Sequence, residues 1–233
     1  FGLPQIIKEI NEKDEASCIV VSGKGDSFSA GIDITMFMSD MSLNENLSST
    51  PQDRRELMEL IERMQNAFTT IAKSKIPTIA LAHGFCIGGA TSLVSACDIR
   101  LATKDAKFSI GETKLGLVAD VGVIQRMPKI VSSGDMNELA LTGRIFDGQH
   151  AEKIRFVTKT YDNSDDLFDA GETLANEIAS NSKRIVQATK QALEKSSNLT
   201  VDQGLEYAKL WSTSFLVSED LRDCLLYTSD AAD

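Results

Sequence analysis

The chain predicts an α/β fold whose C-terminal part is mainly helical, and three observations predict it. The stretch "KIPTIALAHGFCIGGATSLVSACDIRLAT" runs from a buried strand through a glycine turn into a helix of small residues and out into a second strand, which is an α/β unit. The chain opens with a helical pattern followed directly by the apolar strand "SCIVVSG". Its last third reads as three amphipathic helices in succession.

Taken in order, residues 1–13 carry Leu3, Ile6, Ile7 and Ile10 at helical spacing. After the first strand comes "GDSFSAGIDI", where Ser29, Ala30 and Gly31 leave little side chain before Asp33 enters among apolar neighbours. Residues 35–50 are rich in Met, Ser and Asn and read as a surface loop with a helical turn. Met36, Met38 and Met41 there suit either an acyl chain or the loop's own core. Thr50 as cap, Pro51 at the first helical position, and Leu57, Leu60, Ile61, Met64 and Phe68 predict a long helix to about residue 74. A strand at 79–82, a turn at 83–89, a helix to Cys97, a strand at 99–102 and a β-like piece at 107–110 follow. Beyond Val121 the pattern predicts helices near 123–127 and 135–141, a turn at Asp147 and Gly148, and a short strand near Val157. Helices over 165–181, 182–196 and 200–214 complete it. The expected division is a β-and-α core over 1–120 and a helical region over 121–223.

At 233 residues with 42% hydrophobic content, the chain can bury a substantial core. Its apolar runs fall well short of the about 20 residues that a membrane helix needs. A net charge of −10 opposes broad contact with phosphate backbones, so nucleic acid is not an expected partner. Cys18, Cys86, Cys97 and Cys224 have no metal-binding spacing and read as reduced intracellular thiols. With only His83 and His150 present, no histidine-rich metal site is expected. The chain begins at Phe1 rather than Met, so a native N-terminus and its targeting signal are expected to be missing. The closing "CLLYTSDAAD", residues 224–233, resembles a translated sequencing adapter and is set aside from the fold.

Chemistry concentrates at the glycines. Gly88 and Gly89 stand between a buried strand and a helix start, where free N–H groups and a partial positive charge meet a ligand. One such turn is ordinarily only a turn. The small residues of "FSAGID" make a second one, so two backbone N–H groups can converge, as a thioester oxygen gaining negative charge requires.

The segments "FSAGIDI", "HGFCIGGATSLVSACDIRLAT", "FSIGETKLGLVADVGVIQRMPK" and "LTGRIFDGQHAEKI" resemble, in order and spacing, the crotonase (enoyl-CoA hydratase/isomerase) family over residues 1–223. The resemblance implies a spiral of ββα units with a C-terminal helical trimerisation region, the first strands being absent here. It implies an acyl-CoA substrate, no metal or other cofactor, and a homotrimer or dimer of trimers. The oxyanion hole would come from the N–H groups of Ala30 and Gly89, and Ala30, Gly31, Ile32, Asp33, Ile34 and Gly89 would line the thioester. Asp33 would hold its loop through backbone hydrogen bonds rather than move protons.

Asp120 stands where the hydratases of the family carry glycine, and this makes the dienoyl-CoA isomerase branch the best match. Glu112 and Asp120 are then the expected proton-moving pair, since close carboxylates in an apolar pocket split their titrations. Leu117, Val118 and Val121 are the apolar flanks expected to wall that pocket. Ser92 departs from the branch, which has an aspartate there, and from hydratases, which have a glutamate. A hydroxyl holds no negative charge at neutral pH, so Ser92 is left as a hydrogen-bonding helper. His83 at a strand end, and Cys86 and Cys97 in the small-residue helix region, are expected to be structural. A hydratase, a simple enoyl-CoA isomerase and a non-catalytic acyl-CoA binder remain the alternatives. The pathway implied, fatty acid β-oxidation, places the protein in a peroxisome or mitochondrion.

Overall fold

A computed structural model describes residues 2–31, 50–216 and 221–222. The N-terminal part holds α1 (Leu3–Lys13), β1 (Ile19–Ser22), α2 (Pro51–Ala72), β2 (Thr78–Ala82), β3 (Phe85–Ile87), α3 (Gly89–Ala96), β4 (Ile99–Thr103) and β5 (Lys107–Ser109). A 3-10 turn at Gly111–Leu115 leads to α4 (Val123–Arg126), α5 (Ser133–Thr142), β6 (Phe146–Asp147), α6 (Gly148–Lys153) and β7 (Lys159–Tyr161). Three longer helices close the chain: α7 (Ser164–Ala179), α8 (Lys183–Ser196) and α9 (Val201–Phe215).

The long helix forms where its cap and spacing predicted. At its start Asp53 N–H donates to Thr50 Oγ1 at 3.2 Å while Asp53 Oδ2 accepts from Thr50 N–H at 3.1 Å. Such a capping box satisfies two donors that a helix start leaves unpaired, and losing the cap residue typically costs about 1 kcal/mol.

Four parallel strands in the order β1-β2-β4-β7 make the main sheet, and β3-β5-β6 make a small mixed one. All five residues of β2 are buried, as expected of a parallel strand covered on both faces. Alternation along β2 sorts them between two cores. Ala80 and Ala82 face the larger one with Cys86, Ala90 and Val94, whereas Ile79 and Leu81 meet Leu101 and Leu167 beneath α7. Gly171 lets α7 lie close to that face, because a Cβ there would stand 2.6 Å from a Leu81 methyl.

Three expectations are corrected. The segment expected as one turn, 83–89, contains strand β3, which pairs in parallel with β5. Asp147 is not part of a free turn: it ends β6 and caps α6, its Oδ1 accepting from His150 N–H at 2.9 Å. The strand expected near Val157 lies at Lys159–Tyr161, and Val157 itself is buried in the core. Both sheets also cross the division expected at residue 120, since β6 and β7 each complete a sheet begun before it.

The helix α8 is tied to the sheet by charge. Lys190 Nζ donates to Asp98 Oδ2 at 2.6 Å and to the Ile76 carbonyl at 3.1 Å. Asp98 Oδ2 also accepts from the N–H and the hydroxyl of Thr78, each at 2.8 Å. Among the described residues no helix is long and apolar enough to cross a membrane.

Candidate active site

The two glycine-rich segments are stitched together by β3. Phe28 N–H donates to the His83 carbonyl at 2.7 Å, Ser29 N–H to the Phe85 carbonyl at 2.9 Å, and Ile87 N–H to the Ser29 carbonyl at 3.1 Å. The loop after β1 therefore runs beside β3 and delivers Ala30 and Gly31 to the start of α3. Gly31, at φ +94°, is where the approach is closest: a Cβ there would lie 2.7 Å from the Ile87 carbonyl and 3.8 Å from Gly89 N. Only glycine tolerates both the dihedral and the contact.

The N–H groups of Ala30 and Gly89 donate to no acceptor among the described residues. Gly89 opens α3 after Gly88, whose φ of 57° and ψ of −118° turn the chain out of β3. Its N–H belongs to the first helical turn and points out of the helix. Two free donors on adjacent loops are what an oxyanion needs.

Glu112 sits in the 3-10 turn that follows β5. Its Oε1 is 3.5 Å from where a Cβ on Gly88 would stand, an ordinary contact distance, which puts the carboxyl beside the glycine turn. Its Oε2 is buried without a hydrogen-bond partner among the described residues. Burial pushes the Glu112 carboxyl above the usual range, a hydrogen bond from its own N–H opposes this, and the charge of Asp120 adds to the rise. Asp120 is half-buried, and its backbone carbonyl accepts from Gln65 Nε2 at 2.7 Å.

Ala30, Gly31 and Gly89 thus meet beside Glu112, with Asp120 close enough for its charge to be felt there. Ile32, Asp33 and Ile34, together with Met36, Met38 and Met41, lie outside the described residues. Ser92 is fully buried one turn into α3, its N–H bonded to the Gly88 carbonyl at 3.1 Å and its Oγ without a partner among the described residues. The expectation that Leu117 and Val118 wall a pocket is corrected: they are 50% and 76% exposed, whereas Val121 is buried. The chain turns outward after Gly116, at φ 73°, and carries both side chains off the core.

His83 is placed structurally. It is buried, its Nε2 is 2.9 Å from the Gly25 carbonyl, and its ring meets Phe168 edge-on at 5.4 Å. Burial pushes the Cys86 thiol far up and the Cys97 thiol up to about 12, which leaves neither a thiolate. Phe68 was read only as a core position of α2, yet its ring lies 3.8 Å from where a Cβ on Gly89 would stand. No sequence signal singled it out, because an apolar residue at helical spacing fits a core position equally well.

The Enoyl-CoA hydratase/isomerase family profile matches residues 2–227. The chain belongs to the enoyl-CoA hydratase/isomerase family. Among relatives, it is 41% identical over 218 residues to the mitochondrial Delta(3,5)-Delta(2,4)-dienoyl-CoA isomerase of Dictyostelium discoideum, covering 94% of this chain and 74% of the relative. It is 36% identical to the peroxisomal Delta(3,5)-Delta(2,4)-dienoyl-CoA isomerase of Arabidopsis thaliana, covering 95% of this chain and 80% of that one. Among solved structures of the same family, an enoyl-CoA hydratase from Bacillus anthracis superposes with a TM-score of 0.86 at 25% identity, over 98% of this chain and 84% of its own. An enoyl-CoA hydratase/isomerase family protein from Hyphomonas neptunium, described as putative, gives 0.85 at 28% identity, over 99% and 84%. The enoyl-CoA hydratase/isomerase fold is therefore carried by the strands, α3 and the helices around them.

Proposed function

We propose that the protein is a dienoyl-CoA isomerase that converts 3,5-dienoyl-CoA to 2,4-dienoyl-CoA. The observation that carries the reading is the placement of a half-buried carboxyl, Glu112, beside the glycine turn whose N–H has no acceptor among the described residues, while Asp120 bears on its charge. Relatives named for this reaction support the substrate class.

Moving the double bonds from positions 3 and 5 to 2 and 4 removes a proton from C2 and adds one at C6. No electrons are gained or lost, so the scheme calls for no redox cofactor, and two N–H donors supply the stabilisation of the thioester oxygen that a Lewis acid would otherwise give. Glu112, beside the oxyanion donors, takes the C2 proton as the thioester oxygen becomes an enolate held by Ala30 and Gly89 N–H. Each donor of this kind is worth about 3 kcal/mol in the transition state. The negative charge delocalises along the conjugated chain, and the Asp120 carboxyl returns a proton at C6. The pair begins and ends a turnover with one proton between them, which then passes back for the next cycle. Ser92 contributes a neutral hydroxyl where a third carboxylate would add repulsion, and it supplies no water-activating base for hydration.

We propose further that copies associate as a homotrimer or dimer of trimers through the C-terminal helices. Leu193, Val201, Leu205 and Leu210 of α8 and α9 are exposed in the single chain and support this reading. The location proposed is the mitochondrion or the peroxisome, as in the names of the relatives.

The test is the ultraviolet absorbance of the conjugated 2,4-dienoyl product formed by the purified protein. Asp120→Asn should lower turnover by about a hundredfold or more with folding intact. A folded protein that forms no 2,4-diene conjugated with the thioester, or an Asp120→Asn variant as active as the parent, would overturn the assignment. Preferential addition of water to 2-enoyl-CoA would replace it with a hydratase.

A further inference from the structure

We propose that Gln65 is a positioning residue for Asp120, and that one face of α2 aligns both halves of the site. The proposal rests on the reading of Asp120 as a proton-moving group. Gln65 Nε2 donates to the Asp120 carbonyl at 2.7 Å, a contact across 55 residues made by a side chain that is otherwise exposed. Three residues on, the Phe68 ring sits 3.8 Å from where a Cβ on Gly89 would stand. Four residues on, Thr69 Oγ1 accepts from Arg126 Nη2 at 3.0 Å, and Arg126 Nη1 reaches the Val121 carbonyl at 3.4 Å. Residues three and four apart share a helix face.

Gln65, Phe68 and Thr69 therefore contact, in one stripe, the segment bearing Asp120 and the turn bearing the oxyanion donor. The guanidinium of Arg126 crosses so close over Gly122, at φ +115°, that a Cβ there would fall 1.8 Å from Nη1. The chain leaving Asp120 is thus held by a glycine under a guanidinium on one side and by the Gln65 amide on the other. The Cα–Cβ direction of a side chain follows from its own backbone, so fixing the Asp120 carbonyl confines the carboxyl to the few rotamers that start from that direction. Without that bond the segment from Gly116 to Asp120, whose exposed Leu117 and Val118 give it little packing, has one anchor fewer.

The experiment compares Gln65→Ala, Gln65→Glu and Gln65→Lys in the dienoyl-CoA isomerase assay. Gln65→Ala should lower kcat by roughly tenfold through misplacement of the carboxyl. KM should be unchanged, and so should Tm to within about 2 °C, as for a surface substitution. Gln65→Glu, of the same shape but with no N–H to give, should behave as Gln65→Ala. Gln65→Lys keeps a donor and should recover most of kcat. Unchanged kcat in Gln65→Ala, failure of Gln65→Lys to recover it, or a fall in kcat that tracks a fall in Tm would each overturn the positioning role. Asp120→Asn, run alongside, separates the two readings. Full activity in that variant removes Asp120 from the mechanism and this proposal with it, whereas a large loss there with unchanged Gln65→Ala removes Gln65 alone.

Discussion

Two partly buried sites that hold ionisable groups, one beneath α8 and one beside the glycine turn, are built differently. Beneath α8, Lys190 and Asp98 are matched to each other, and Thr78 and the Ile76 carbonyl take up further hydrogen bonds. Beside the glycine turn, among the described residues, Glu112 Oε2 and Ser92 Oγ are buried without partners and the N–H groups of Ala30 and Gly89 have no acceptor. A matched cluster holds elements together; an unmatched one costs stability and keeps its hydrogen-bonding capacity for a ligand. The contrast separates a cluster that ties α8 to the sheet from one whose hydrogen-bonding capacity is left over for the proposed ligand.

Substitution can break that comparison. The largest effect is expected at Glu112: Glu112→Gln should lower turnover by about 10²- to 10⁴-fold, the usual worth of a general acid or base, while the protein is no less stable than before. Next comes Lys190→Met, which removes the buried cation that ties Asp98 and the Ile76 carbonyl to α8. Urea unfolding should show a loss of about 1 to 2 kcal/mol, below the range for a fully buried pair because water reaches the Asp98 side chain, which is 34% exposed. If Lys190→Met proved harmless to stability, or Glu112→Gln strongly destabilising, the division between the two clusters would fail.

A smaller, pH-dependent effect sharpens the same point. The folded Glu112 carboxyl titrates above its ordinary 4.5, so the folded state favours its protonated form. Its favourable contribution is fully present below the unfolded value and is lost as pH rises through the folded one. The stability of Glu112→Gln relative to the parent should therefore be flat in acid and increase as pH rises above about 4.5. A difference that is independent of pH would show that burial does not bear on this carboxyl.

The smallest effect is expected at Asp14, a fully exposed counterpart to Asp98. Lys75, Lys183 and Gln187 hydrogen-bond to it and lower its carboxyl from 3.8 to about 2. Its contribution is present above the unfolded value and is lost as pH falls through the folded one. Asp14→Asn should lower Tm slightly near neutral pH, less in high salt, and not at all below pH about 2.

Much of the fold was legible in the sequence. Thr50, Pro51 and the apolar spacing marked α2 within two residues of its observed end, and the three terminal helices lie where their periodicity put them. The strands that were missed or displaced are β3, β6 and β7, of three, two and three residues. A stretch so short holds barely one alternation of side chains, so its pairing partner decides its conformation. At the site, the glycines and Glu112 stood out because backbone approach and a carboxyl beside it need particular residue types. Gln65 did not, because an amide on an exposed helix position is compatible with having no role.

By itself the sequence determined the order of elements, the helix starts and the places where only glycine can follow the backbone, because caps, periodicity and positive φ are local properties. It also determined family membership through four linked segments. Only the tertiary structure decided that Gly31 packs against the Ile87 carbonyl near the start of α3, that the Glu112 carboxyl lies beside Gly88, and that Gln65 holds the Asp120 carbonyl. Each of these joins segments distant in the chain, and such contacts follow from how sheets and helices close on a shared core rather than from any pattern within one segment.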